Sequence, residues 1–150
     1  MGSNLEDSRS AATRIAVPVL WLLIGLALAM VAWRSYEAIY WVDPGLRAEF
    51  LLIYAGYPLA LAAVESLALA LLYKGRTAGR ILAAAVFAYA AFHAASQCWS
   101  DGEVAYVNDV DRAAGRITAI LATAALVLLA VSLLREHLRE NRLVKANRSS

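Results

Sequence analysis

Cysteine is almost missing from this chain: Cys98 is the single one in 150 residues. That excludes an intrachain disulfide and any zinc or iron–sulfur site built on several cysteines. Histidine is nearly as scarce, with only His93 and His137. The sequence holds no Ser-His-Asp or Cys-His arrangement, no HExxH pair and no glycine-rich phosphate loop, so neither an enzyme nor a cofactor is expected. Gly2 follows Met1, but Glu6 stands where N-myristoylation needs Ser or Thr. Charged residues make up only 17% of the chain and fall almost wholly between its apolar runs, so the pI near 8.8 marks no nucleic-acid-binding surface.

What is abundant is apolar. Hydrophobic residues reach 61% and the mean hydropathy is +0.57, more than one globular core of this size needs, so the surplus is expected to face lipid. A bilayer crossing takes about 20 mostly apolar residues. Four stretches qualify, about 15–33, 50–73, 81–97 and 117–134, flanked by a tail over 1–14 and a basic tail over 135–150. The first could pass for a secretory signal, because Ala27-Leu28-Ala29 resembles a cleavage site. Its apolar run nevertheless continues through Met30 to Trp33, and Glu6 and Asp7 precede it, so it is expected to remain as a span.

Basic residues orient the spans. With both termini cytoplasmic, the inner segments carry ten of the 14 Lys and Arg, and the outer loops carry only Arg34, Arg47, Arg112 and Arg116. Seven of the 12 acids, among them Glu37, Asp43 and Glu49, fall outside. The expectation is an all-α integral membrane protein, four transmembrane helices in an antiparallel bundle with both termini cytoplasmic, in a bacterial inner membrane. Asp43-Pro44-Gly45 breaks the chain between the first two spans, and "KGRTAGR" over 74–80 makes a tight hairpin between the second and third. Tyr36, Tyr40 and Trp41 on one outer loop, with Trp99 and Tyr106 on the other, suit the headgroup level. The 135–150 tail is expected to carry the fourth helix beyond the membrane.

The third span holds eight alanines, which allow helices to approach closely where no hydrophobic drive separates them from lipid. It is therefore expected to be the most buried of the four. Gly56, Ala60, Ala63 and Ser66 offer small positions on the second span, whereas "LVLLAVSLL" in the fourth suits a lipid-facing surface.

One acid interrupts the apolar runs. Glu65 sits in the middle of "ALAAVESLALALLY", where an ionisable residue costs about 2.5–3.5 kcal/mol on insertion scales and needs a partner or a proton. Folding the second and third spans about Thr77 sets position 65 level with Tyr89, and His93 lies one turn further along the same face. Ser96 and Gln97 extend that stripe. Tyr54, eleven residues from Glu65, falls nearly in phase with it at about 100° per residue, and Tyr57 lies near the same face. At about 1.5 Å per residue, Glu65 is about 12 Å and His93 about 18 Å from the cytoplasmic end of its helix. Glu65 should thus face the third helix, within a cluster of Tyr89, His93, Tyr54, Tyr57, Ser96 and Gln97.

Two readings of this cluster stand side by side. In one, a neutral Glu65 hydrogen-bonds Tyr89 or His93 and fixes the helix register. In the other, Glu65 and His93 pass a proton or bind a small cationic solute in a cavity open to the outside, work for which a shielded carboxyl and an imidazole are well suited. The two histidines differ in depth by about 20 Å, too far to serve as axial ligands of one haem. In the outer loop "QCWSDGEVAYVNDVDR", Asp101, Glu103, Asp109 and Asp111 lack the ligand order of an EF-hand, so no metal site is expected. Trp99 and Tyr106 set apolar anchors among those acids, as a protein-docking surface would.

In layout the chain resembles small four-span inner-membrane proteins, such as accessory subunits of transporters and respiratory complexes and immunity proteins against pore-forming toxins. Small multidrug transporters place their essential glutamate in the first span, and here the apolar core of that span has no acid. The resulting expectation is a non-enzymatic interaction protein. It would act as an accessory subunit or immunity-type inhibitor, meeting a membrane-protein partner or a second copy of itself through Trp99, Asp101, Glu103, Tyr106, Asp109 and Asp111. The alternative is a small proton-coupled transporter or channel using Glu65 and His93.

Overall fold

A computed structural model of the chain describes residues 11–99 and 109–148, with the side chains of 97–99, 109–112, 140 and 143–148 left undescribed. Among the described residues the protein is all-helical, with four helices each long and apolar enough to cross a membrane. They are α1 (Ala11–Tyr40), α2 (Arg47–Tyr73), α3 (Thr77–Trp99) and α4 (Asp109–Arg148). The chain divides into two compact units, Met1–Gly79 and Arg80–Ser150.

In the first unit α1 packs against α2. The buried stripe of α1 runs through Ala16, Leu20, Ile24 and Ala27. That of α2 runs through Ala55, Pro58, Ala62, Glu65, Ala68, Leu69 and Leu72, in steps of three and four residues with Ala68 and Leu69 side by side. This spacing keeps one face of a helix turned to its neighbour. Ala16 and Ala27 on α1 and Ala55, Ala62 and Ala68 on α2 are small, which lets two helices lie close.

Two local devices shape this unit. Residues Leu51–Ala55 form a π-helical turn inside α2. Its cause lies in Pro58, which has no N–H to give the Tyr54 carbonyl and whose ring crowds it; a wider turn just before relieves both. At the other end, Gly75 ends α2 in the left-handed region with φ +64°. The Arg76 amide donates to the Leu71 carbonyl at 3.0 Å and the Gly75 amide to Leu72 at 3.0 Å, the paired bonds of a Schellman stop. Two residues further on, α3 has begun.

The connection between α1 and α2 is shorter than the sequence suggests. Tyr36 and Tyr40, which the sequence places in a loop, lie on α1, and only residues 41–46 connect the helices. Asp43 to Leu46 closes a turn with a 2.9 Å amide bond. Arg47, at the start of α2, reaches back to donate to the carbonyls of Ile39 at 2.8 Å and Val42 at 3.2 Å. A cationic side chain on the carbonyl end of a helix satisfies acceptors that the helix leaves open.

In the second unit, Ala83, Ala84, Val86, Phe87 and Ala91 of α3 are buried, as are Leu129, Ala130 and Leu133 of α4. Ala85 and Ala88 are exposed, so the alanines of α3 line both its packed and its open sides. Thr123 donates to the Ala119 carbonyl at 2.7 Å and lies 3.4 Å from that of Ala91, tying α4 to α3. Ser132 and Thr118 donate to the carbonyls one turn back on their own helix, Leu128 and Ala114. Large apolar side chains such as Trp21, Leu52, Phe92 and Leu128 are exposed on both units.

Candidate functional site

Glu65 lies on the packed stripe of α2, only 5% exposed. Its Oε2 has no hydrogen-bond partner among the described residues. A shielded carboxylate oxygen without a donor costs roughly 1–3 kcal/mol, which makes this position an expense to the fold rather than a support. Tyr54 and Tyr57 lie off the buried stripe, each about half exposed. The π-helical turn is the reason for Tyr54: it lies within the wider turn, so counting 100° per residue from Glu65 misplaces it.

On α3, Tyr89 and His93 stack one turn apart as the sequence spacing predicts, ring centroids 6.4 Å apart and edge to face. Ser96 donates to the His93 carbonyl at 2.7 Å. All three are exposed, forming a polar strip on the second unit. Gln97 continues α3, with its side chain outside the described residues. Trp99, Asp109 and Asp111 fall on helices with undescribed side chains, and Asp101, Glu103 and Tyr106 lie outside the described residues. Among the described residues no group of three His, Cys, Asp or Glu could hold a metal ion.

The most developed constellation is one the sequence did not suggest. At the end where α1 meets α2, an open cleft of about 580 Å³ is lined by Trp33, Arg34, Tyr36, Glu37, Trp41, Val42 and Phe50. Glu37 organises its wall. One carboxylate oxygen accepts from Arg34 at 2.7 Å and the other from the Trp33 indole N–H at 2.8 Å. Arg34 also lies over the Tyr54 ring, 5.6 Å from its centroid, and Tyr54 packs on Phe50 at 4.7 Å. Tyr36 stands between Trp33 at 6.0 Å and Tyr40 at 4.6 Å.

These contacts come from helical spacing. Residues 33, 34, 36, 37 and 40 are three and four apart, so an unbroken α1 sets them on adjoining faces. The signal was present in Arg34 and Glu37 at i and i+3, yet a span that ends where its apolar residues end leaves them in a loop. The cleft combines one cation, one anion and several aromatic faces, a set that can bind a charged group. No protein family, curated protein or solved structure matches the chain.

Proposed function

We propose that this chain is a non-enzymatic interaction protein of the membrane, an accessory subunit or immunity-type inhibitor that engages a membrane-protein partner through its outward, aromatic and acidic end. It would cross a bacterial inner membrane four times as an antiparallel bundle, with both termini cytoplasmic. The exposed apolar side chains of all four helices support the lipid setting, because a water-soluble surface rarely carries so much. The balance of ten inner against four outer basic residues supports the orientation.

The observation that carries the partner reading is the display of rings where α1 ends. Tyr40 is 67% and Trp41 80% exposed, beside the Arg34–Glu37 pair. Tyr, Trp and Arg dominate the energetics of protein interfaces. By sequence, Trp99, Asp101, Glu103, Tyr106, Asp109 and Asp111 would add acids and rings on the same side of the membrane. Affinity purification after in-cell crosslinking is expected to yield a stoichiometric membrane partner. Tyr40→Ala combined with a scrambled 99–111 stretch should weaken that complex by roughly 30-fold, the loss typical of a hot spot. Unchanged recovery of the partner would defeat the reading.

A second reading is favoured by the buried, unpartnered Oε2 of Glu65. It is a small proton-coupled carrier or channel in which Glu65 and His93 handle the proton. Glu65→Gln keeps the shape and removes the acid. In liposomes it is expected to abolish proton-coupled flux if the carrier reading holds, and to leave partner binding intact if the interaction reading holds.

A further inference from the structure

The cleft between Trp33 and Phe50 has a more particular chemistry than a general docking surface. Its wall holds a guanidinium and a carboxylate 2.7 Å apart, each about a quarter to a third exposed. Its remaining surface is largely aromatic, from Trp33, Tyr36, Trp41 and Phe50. Aromatic faces attract ammonium groups, most of all when a carboxylate stands beside them. A guanidinium held in place, here by Glu37 and the Tyr54 ring, presents a fork that matches phosphate oxygens. The ion pair has no net charge, so a bare anion meets Glu37 and a bare cation meets Arg34. A ligand carrying both signs a few ångströms apart meets neither penalty.

Depth selects the source of such a ligand. The apolar run of α1 reaches Trp33 and the charged residues begin at Arg34. A crossing of about 20 residues that starts near position 15 ends there, at the headgroup level. α1 itself runs on to Tyr40 and so forms the wall of the cleft beyond the hydrocarbon.

We propose that this cleft binds the headgroup of a zwitterionic phospholipid, with the ammonium against Trp33, Tyr36, Trp41 and Glu37 and the phosphate toward Arg34. The proposal rests on the membrane-spanning reading but not on the partner reading. It gives the cleft a ligand from the bilayer itself, and it leaves Tyr40 and the 99–111 stretch free for a protein.

The test is native mass spectrometry of the full chain released from nanodiscs. The discs contain equal amounts of phosphatidylethanolamine and phosphatidylglycerol, and a parallel set replaces the ethanolamine lipid with phosphatidylcholine. The protein is expected to retain either zwitterionic lipid over phosphatidylglycerol by about tenfold, in line with one cation–π and carboxylate site. Glu37→Gln and Trp41→Ala should erase that preference, and Arg34→Gln should lower retention of every phospholipid. Trp41 is exposed and the Arg34–Glu37 pair is a partly solvated surface contact, so these variants should fold; circular dichroism checks this. Equal retention of all lipids, or a preference that survives both Glu37→Gln and Trp41→Ala, would overturn the proposal while leaving the membrane reading in place. Displacement of the lipid by soluble phosphoethanolamine at matched concentration would overturn the bilayer as the source. Release of the chain from membranes by alkaline carbonate would instead sink the membrane reading beneath it.

Discussion

Glu65→Leu is expected to stabilise the protein by about 1–3 kcal/mol, and Glu65→Lys to destabilise it by about 3 kcal/mol. Both follow from the same geometry. Position 65 lies on the buried stripe of α2 between Ala62 and Leu69, and Oε2 finds no donor there. Leucine has nearly the size of glutamate and fits the apolar stripe, so the substitution removes an unsatisfied acceptor while filling the same space. Lysine brings a cation to a helix centre where no acid is left to meet it. Chemical or thermal unfolding in detergent micelles, followed by circular dichroism, measures both. A less stable Glu65→Leu variant would mean that the carboxyl makes a bond the fold depends on, the register-fixing role. A more stable one would mean that the acid is kept against stability, as side chains held for function often are. Joined to the flux assay on Glu65→Gln, the sign of this change separates the carrier from the interaction reading.

The parts of this molecule that were legible in the sequence are those governed by helical period and apolar content. The four apolar runs announced four helices, and the spacing of Tyr89 and His93 announced their stack, because each depends only on positions one turn apart. Glu65 is buried, as expected of an acid that must turn away from lipid. The rest depended on backbone events that apolar content does not report. The end of α1 is one: its hydrogen bonds continue through Arg34, Glu37 and Tyr40 because those side chains pair with one another at helical spacing, although the apolar run has stopped. The π-helical turn is another. It answers the missing N–H of Pro58 by widening the turn before it, and so takes Tyr54 away from Glu65 and gives it to Arg34 and Phe50. The open cleft thus arises from two departures from the simple span, one at each of its walls.

Gly79→Ala is expected to cost about 1–3 kcal/mol, a loss of the size seen when a packed contact is overfilled. Gly25→Ala should do the opposite and gain about 0.5–1 kcal/mol. The two glycines are both helical, so propensity alone would favour alanine at each. Surroundings reverse the sign at one of them. A Cβ on Gly79 would stand 2.6 Å from the Leu71 carbonyl carbon and 2.6 Å from the Leu72 amide nitrogen, and both are backbone atoms. Those atoms belong to the last turn of α2, whose carbonyls hold the Gly75 and Arg76 amides of the helix stop. They can yield only by disturbing that stop or by moving the start of α3 away, which strains the Gly79 amide bond to the Arg76 carbonyl at 2.9 Å. A Cβ on Gly25 meets nothing within 4 Å. Measuring both variants by the same unfolding experiment makes each the control for the other. Two gains, or a neutral Gly79→Ala, would show that the α2–α3 turn has slack. A loss at Gly79 alone would make this glycine the residue that lets the first turn of α3, begun two positions after the left-handed Gly75, lie against the last turn of α2.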